Sequence, residues 1–152
     1  MNDGYYMKIA LDEAQKAFEK DEVPVGAVLV NKGGDVVAVA HNLVISMHDP
    51  TAHAEMLVMR KGALLMGNYR LSGTTIYTTV EPCIMCMGAI AHARVKRLVF
   101  GAIDDKRGAV CSALELTNAE FLNHQVEWQG EVLAEACGDL LRDFFKAKRK
   151  KL

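Results

Sequence analysis

The chain has 152 residues, 51% apolar and 24% charged, a size and balance that suit one soluble domain around one core. Its apolar runs are broken by charge well short of the ~20 residues that a membrane-spanning helix needs. The first twenty residues include Asp3, Asp12 and Glu13 and no basic segment leading an apolar one, so no secretory leader is expected and the cytoplasm, where four cysteines stay reduced, is the expected compartment. Formal net charge is −1, yet residues 146–152 (KAKRKKL) hold five bases and no acid, leaving 13 bases against 19 acids, a net of −6, in the rest. On charge alone such a tail reads as a solvated helix end whose cations complement the dipole. An anionic partner is the alternative.

Residues 3–20 place Met7, Ala10, Leu11, Ala14, Ala17 and Phe18 at helical spacing. Val25–Val30 and Val36–Ala40 are β-rich runs joined by NKGGD, which predicts a hairpin. Asp49-Pro50 is expected to open a second helix, with Asp as the N-cap and Pro in the first turn, running through His53 and Glu55 to Met66 and closed by Gly67. Thr74–Val80 reads as a strand, residues from about Cys83 to Ala93 as a helix after Pro82, and Val95–Gly101 as a strand. A short helix around Ser112–Leu116 and a fifth strand at Gln125–Trp128 follow. The last helix is expected from near Gly130, its pairs Val132/Leu133, Ala136/Cys137, Leu140/Leu141 and Phe144/Phe145 forming a buried stripe. This order predicts one α/β domain over residues 1–152, a mixed five-stranded sheet with helices on both faces in three layers. The helices around residues 52 and 88 would join parallel strands, so both N-termini should open at one sheet edge.

Two patches at those helix starts carry chemistry: Thr51-Ala52-His53-Ala54-Glu55 and Glu81-Pro82-Cys83-Ile84-Met85-Cys86. If they share an edge, His53, Cys83 and Cys86 converge. Two thiolates and an imidazole make a borderline-soft site that suits tetrahedral zinc. Helix N-terminal amides favour the thiolate form. Three protein ligands leave a fourth position for water, whose pKa zinc lowers to about 7. Glu55, two residues after His53, is placed to take and return a proton without binding the metal. Plainer readings are a redox Cys-x-x-Cys, half of a structural zinc site, or a core histidine. Ile84-Met85 is not a typical redox insert, and Cys111 and Cys137 are isolated, the latter on the predicted stripe of the last helix. His-x-Glu with Pro-Cys-x-x-Cys is the known signature of zinc nucleobase deaminases, matched here as a pattern.

Beyond the signature, the segments Val23-Pro24-Val25-Gly26-Ala27-Val28, His48-Asp49-Pro50 running into the first patch, Asn68-Tyr69-Arg70-Leu71, Gly101-Ala102, Asp104, Lys106, Gly108-Ala109, Asn123-His124 and Phe144-Phe145 with its basic end resemble the bacterial tRNA adenosine deaminase family over nearly the whole chain. The resemblance implies a cytidine deaminase-like α/β/α domain that forms a homodimer, with one zinc ion (Zn2+) per subunit. It implies hydrolytic deamination of the wobble adenosine to inosine in a tRNA anticodon stem-loop, an arginine tRNA, by attack of zinc-activated hydroxide on C6 with loss of ammonia. By the same resemblance His53, Cys83 and Cys86 bind zinc and Glu55 is the acid/base. Asn42 and the Ala54 backbone N–H contact the target nucleotide, Val25, Asp104 and Lys106 border the anticodon loop, and Phe145 and Arg149 meet bases and phosphates. Taken singly, Val25 also reads as a core strand residue, Asn42 as a turn cap, and Asp104 and Lys106 as solvated loop residues. Of Phe144 and Phe145 one is expected to pack and the other to stack on a base, worth about 1–3 kcal/mol. His41, His48, His92 and His124 read as structural. The run Gly108-Ala109-Val110-Cys111-Ser112 is bulkier than the family's usual small residues, which bears on that loop and not on the chemistry. Two rivals remain: a deaminase of free bases such as guanine or cytosine, and an RNA-binding module with structural zinc.

Overall fold

Two of the apolar runs are buried along their whole length, which requires strands covered on both faces. In the computed structural model, which describes residues 2–122 and 124–150, these are β1 (Gly26–Val30) and β3 (Thr75–Val80). Around them lie β2 (Val36–His41), β4 (Arg97–Ala102) and a short, exposed β5 (Glu127–Gln129). The sheet order is β2-β1-β3-β4-β5, with β1 antiparallel to β2 and β3, and β3, β4 and β5 parallel. Helices α1 (Asp3–Glu19) and α4 (Ala134–Lys150) cover one face, where Tyr6, Met7 and Ala10 pack on Val28, Val30, Tyr77, Val99 and Cys137. Helices α2 (Ala54–Met66) and α3 (Ile84–His92) cover the other, where Leu57, Val58, Met87 and Ile90 meet Leu29, Ile76, Leu98 and Phe100. The expected three-layer α/β/α arrangement is the one observed. Asp3 fastens α1 to the sheet: Arg97 donates to both of its carboxylate oxygens at 2.8 Å and the Tyr77 hydroxyl donates to it at 2.8 Å. Among the described residues no helix is long and apolar enough to cross a membrane.

Because β1 runs against its two neighbours, its start and the ends of β2 and β3 share one sheet edge, joined by the end of β4. Both α2 and α3 open there, as the connectivity requires.

Local differences from the sequence reading have physical causes. Helix α2 begins at Ala54 rather than at Asp49-Pro50. The Asp49 carboxylate instead accepts the Thr51 N–H at 2.8 Å and its hydroxyl at 2.7 Å, closing a turn of its own. Gly67 does close the helix, in the left-handed region at φ 65°. Helix α4 begins at Ala134 rather than near Gly130, because Glu131 and Leu133 take φ of 63° and 53° while Val132 donates to the Phe100 carbonyl. Its stripe is narrower than the paired pattern suggested: Cys137 and Phe144 are buried, but Leu133 and Phe145 are 41% and 44% exposed. A helix lying on one flank of a sheet buries only one member of each pair. The short helix is a single 3-10 turn at Leu116–Asn118, displaced from Ser112–Leu116 because Ser112 is bonded elsewhere. Asn123 and the last two residues of the basic tail lie outside the described residues.

Candidate metal centre and substrate pocket

His53 ends the loop after β2, in extended conformation at the N-cap of α2. Cys83 holds the same position before α3, and Cys86 lies in that helix's first turn. Their shared edge brings them together: His53 Nδ1 lies 3.6 Å from Cys83 Sγ and 3.4 Å from Cys86 Sγ, and the three donor atoms all lie within 4.8 Å of one another. With Zn–N near 2.1 Å and Zn–S near 2.3 Å, a tetrahedral site has donor–donor edges of about 3.6 Å. The donor set and its spacing therefore fit a zinc ion.

The three donors are close enough to share protons. A hydrogen bond from Cys86, opposed by burial and aided by His53, pulls the Cys83 thiol down to about 3. The bond to Cys83, followed by burial, pushes the Cys86 thiol up. The bond to Cys83 raises the His53 imidazole, with Glu55 adding to the effect. One sulfur of the pair is thus held as thiolate, the form that binds metal. Glu55, in the first turn of α2, is 4% exposed, and burial raises its carboxyl to about 7. A carboxyl at that value holds and releases a proton near neutral pH with similar ease.

Asn42 follows β2 and is nearly buried. Its N–H donates to the Val25 carbonyl at 3.0 Å, and its side-chain Oδ1 accepts the Ala54 N–H at 2.7 Å. The Ala54 N–H, expected to help fix the base, is engaged by Asn42. Val25, expected to border the anticodon loop, is 9% exposed, packs in the core under α2 and α3, and accepts the Asn42 N–H on its carbonyl. With Oδ1 taken, Nδ2 is the polar atom that Asn42 has left to offer.

The remaining expected residues lie on the loop after β4 and on α4. Asp104 folds onto its own turn, its carboxylate accepting the N–H groups of Lys106 and Arg107 at 3.1 Å, while the Lys106 side chain is exposed. Phe144 packs edge-on against Phe18 at 5.7 Å and Phe145 stays half-exposed beside it. Lys148 pairs with Asp21 at 2.6 Å, which brings the end of α4, with Arg149 exposed on it, to the loop before β1. His41 bonds Glu13 and Lys20, His48 the Ile45 carbonyl and His124 the Val95 carbonyl, so these three are structural.

Sequence reasoning missed two carboxylates. Glu81, 3% exposed, accepts the Asp104 N–H at 3.1 Å and the Ser112 hydroxyl at 2.6 Å through Oε1, and the N–H groups of Val110, Cys111 and Ser112 at 3.0 to 3.2 Å through Oε2. Gly108 is needed beside it, since a Cβ there would strike the Glu81 carboxylate. Glu22, 1% exposed, accepts the N–H groups of Ile45 and Ser46 at 3.0 and 2.7 Å and the Ser46 hydroxyl at 2.7 Å. Glu81 was visible only as the residue before the Pro-Cys motif, and nothing local marked Glu22.

The family model of the cytidine and deoxycytidylate deaminase zinc-binding region matches residues 1–102. A tRNA-specific adenosine deaminase of Aquifex aeolicus is 43% identical over 152 residues, spanning 100% of this chain and 99% of that protein. One of Bacillus subtilis is 48% identical over 149 residues, 98% of this chain and 92% of that protein. A solved structure from work on A-to-I editing by tRNA:A34 deaminases at the wobble position of transfer RNA superposes with a TM-score of 0.88 at 40% identity, covering 90% of this chain and 99% of the other. With a deaminase-type centre in place and likeness along its full length, this chain belongs to the tRNA-specific adenosine deaminases of the cytidine and deoxycytidylate deaminase zinc-binding family.

Proposed function

We infer that the protein hydrolytically converts the wobble adenosine of a tRNA anticodon to inosine, consuming water and releasing ammonia, with an arginine tRNA as the expected substrate. The observation that carries this reading is the convergence of His53, Cys83 and Cys86 with a buried Glu55 in a chain of this family. His53 Nδ1 and the two sulfurs would hold one zinc per subunit, which supplies activation of water for attack on C6 of the adenine. Glu55 takes the proton of the attacking water and returns it to the departing amine, the role for which a buried carboxyl near neutral pKa is suited. Asn42, oriented by the Ala54 N–H, turns its Nδ2 donors to the target nucleotide. Lys106 and Arg149 meet phosphates, and Phe145 offers an open ring for a base.

The protein is expected to act as a homodimer. Leu64, Leu65, Tyr69 and Phe121 are 84%, 71%, 66% and 76% exposed, large apolar side chains that a second copy of this chain would cover. Sedimentation should report a dimer, and Leu64→Asp with Leu65→Asp should shift it to monomer.

The test of function is direct. The zinc-loaded protein is incubated with anticodon stem-loops carrying a wobble adenosine, from arginine and other tRNAs, and with free guanine and cytosine. Inosine at the wobble position is the expected product. Its absence, or turnover of the free bases alone, would overturn the reading.

A further inference from the structure

Two loops rise from the sheet edge on either side of the candidate pocket. One, residues 43–49, runs from Asn42 toward His53, anchored where the Leu43 N–H donates to the Ala52 carbonyl. It displays Ile45 and Met47, 62% and 50% exposed. The other, residues 103–112, leaves β4, displays Lys106 and Arg107, and is tied to the residue before Cys83 where the Ala109 N–H donates to the Pro82 carbonyl at 2.8 Å. Neither loop has a ladder of its own to fix it. Beyond turn bonds within the loops, Met47 to Leu43 and Asp49 to Val44 in one and Gly108 to Asp104 in the other, each is held to the body by one buried carboxylate in the same way: Glu22 through two backbone N–H groups and the hydroxyl of Ser46, Glu81 through four backbone N–H groups and the hydroxyl of Ser112.

We propose that Glu22 and Glu81 are positioning residues for substrate, two carboxylate pegs that preset the rim loops in the conformation that receives the RNA. The inference rests on the proposed RNA-deaminating reading and extends it to residues that touch no substrate. A carboxylate suits the task better than a neutral side chain. It only accepts, so every oxygen lone pair is open to an N–H or O–H, and charged acceptors bond about twice as strongly as neutral ones. A rim fixed beforehand spares the ordering cost that a mobile one would incur on binding. The pegs hold different ground: Glu22 secures the Asn42 side of the pocket, Glu81 the side of Lys106. Glu81 also lies two residues from Cys83, so the 103–112 loop is anchored beside the start of α3.

The test uses the zinc-loaded, full-length protein and the variants Ser46→Ala, Ser112→Ala, Glu22→Gln and Glu81→Gln. The serine variants remove one bond each and should fold. In the Gln variants the amide Nε2 faces N–H groups and cannot accept. With an anticodon stem-loop as substrate, KM should rise roughly three- to ten-fold for each serine variant and more for each Gln variant, with kcat on the surviving fraction changed less than about two-fold. Trypsin should nick after Lys106 and Arg107 faster in the Ser112 and Glu81 variants than in the parent, with no such change in the Ser46 and Glu22 variants. A lower thermal midpoint with KM and nicking unchanged would make the pegs purely structural and overturn the proposal. Failure of the parent protein to form inosine would sink the proposed function instead. In that case the nicking pattern and the stem-loop Kd still decide whether the pegs set the rim.

Discussion

Asn42 Oδ1 accepts the backbone N–H of Ala54 at 2.7 Å, a bond from the last residue before one rim loop to the first residue of α2. It fixes the amide plane, so the side chain's two donors have one direction to take. It also lies between His53 and Glu55, and any shift of Asn42 reaches both the metal centre and the acid/base.

The bond separates two roles that one deletion would merge. Asn42→Asp keeps an acceptor for the Ala54 N–H and loses the Nδ2 donors. Asn42→Ala loses both. If Nδ2 contacts the nucleotide, Asn42→Asp should retain zinc and thermal midpoint while kcat/KM for a stem-loop falls about 10²-fold or more, because a donor is replaced by a like-charged acceptor facing RNA. Asn42→Ala should lose stability as well, by about 1–3 kcal/mol for the unpaired N–H. Near-normal kcat/KM in Asn42→Asp would remove Asn42 from the substrate contacts.

Glu55 carries the proton in the proposed reaction and is not a proposed ligand, so its loss should leave the metal in place. Glu55→Gln is nearly isosteric and cannot exchange a proton. It should bind one zinc per subunit by elemental analysis, bind the stem-loop with unchanged Kd, and turn over at least about 10²-fold more slowly. Loss of zinc in this variant would move Glu55 into the ligand set, and residual turnover within ten-fold of the parent would end its acid/base role.

Which parts of this picture the residues announced follows from where the information sits. The zinc cluster was legible because its pattern is local, His-x-Glu at one helix start and Cys-x-x-Cys at another. Only the parallel relation of β2, β3 and β4 was needed to bring them together. Helix α1 was legible from periodicity and the buried strands from their β-rich composition. The start of α2 was not, because Asp49 satisfies its own turn instead of capping a helix, a choice made by the loop it closes. The bonds of Val25 and Ala54 to Asn42 were not legible, because Asn42 is distant in sequence from Val25 and the pairing is set by strand register. Glu22 and Glu81 escaped notice for the same reason: an acid becomes a peg only when a remote loop folds over it.

The same buried acids predict how the fold responds to acid. The Arg97 guanidinium bonded to Asp3 holds that carboxyl below the usual range. Burial works to raise Glu22 and Glu81, but the bonds from Ser46 and from Cys111 and Ser112 outweigh it and hold both low. Folded pKa values below unfolded ones mean stability that is fully present above the unfolded range of about 3.9–4.3 and lost as pH falls through the folded values. The thermal midpoint should therefore be level near neutrality and drop steeply below about pH 4. In Glu81→Gln the plateau should be lower and the acid drop shallower, since one of the titrating groups is gone. An equally steep drop in that variant would show that Glu81 is not among the groups responsible.

The end of α4 yields the last prediction. Lys148 is spent on Asp21 and on the Phe144 ring, which it approaches to 5.6 Å, so among the cations there Arg149 is the better candidate for phosphate. Phe145, half-exposed beside the buried Phe144, is the candidate for a base. The two contacts should separate by salt. Arg149→Ala should weaken stem-loop binding and flatten the slope of log K against log salt by about 0.7 to 0.9, the value of one phosphate contact. Phe145→Ala should weaken binding by about 1–3 kcal/mol with the slope unchanged, because stacking releases no counterions. Lys148→Ala should lower the thermal midpoint more than it changes the slope. Equal slopes in Arg149→Ala and the parent would place the phosphate elsewhere, and a flattened slope in Phe145→Ala would mean that the ring holds the end of α4 in position and does not stack on RNA.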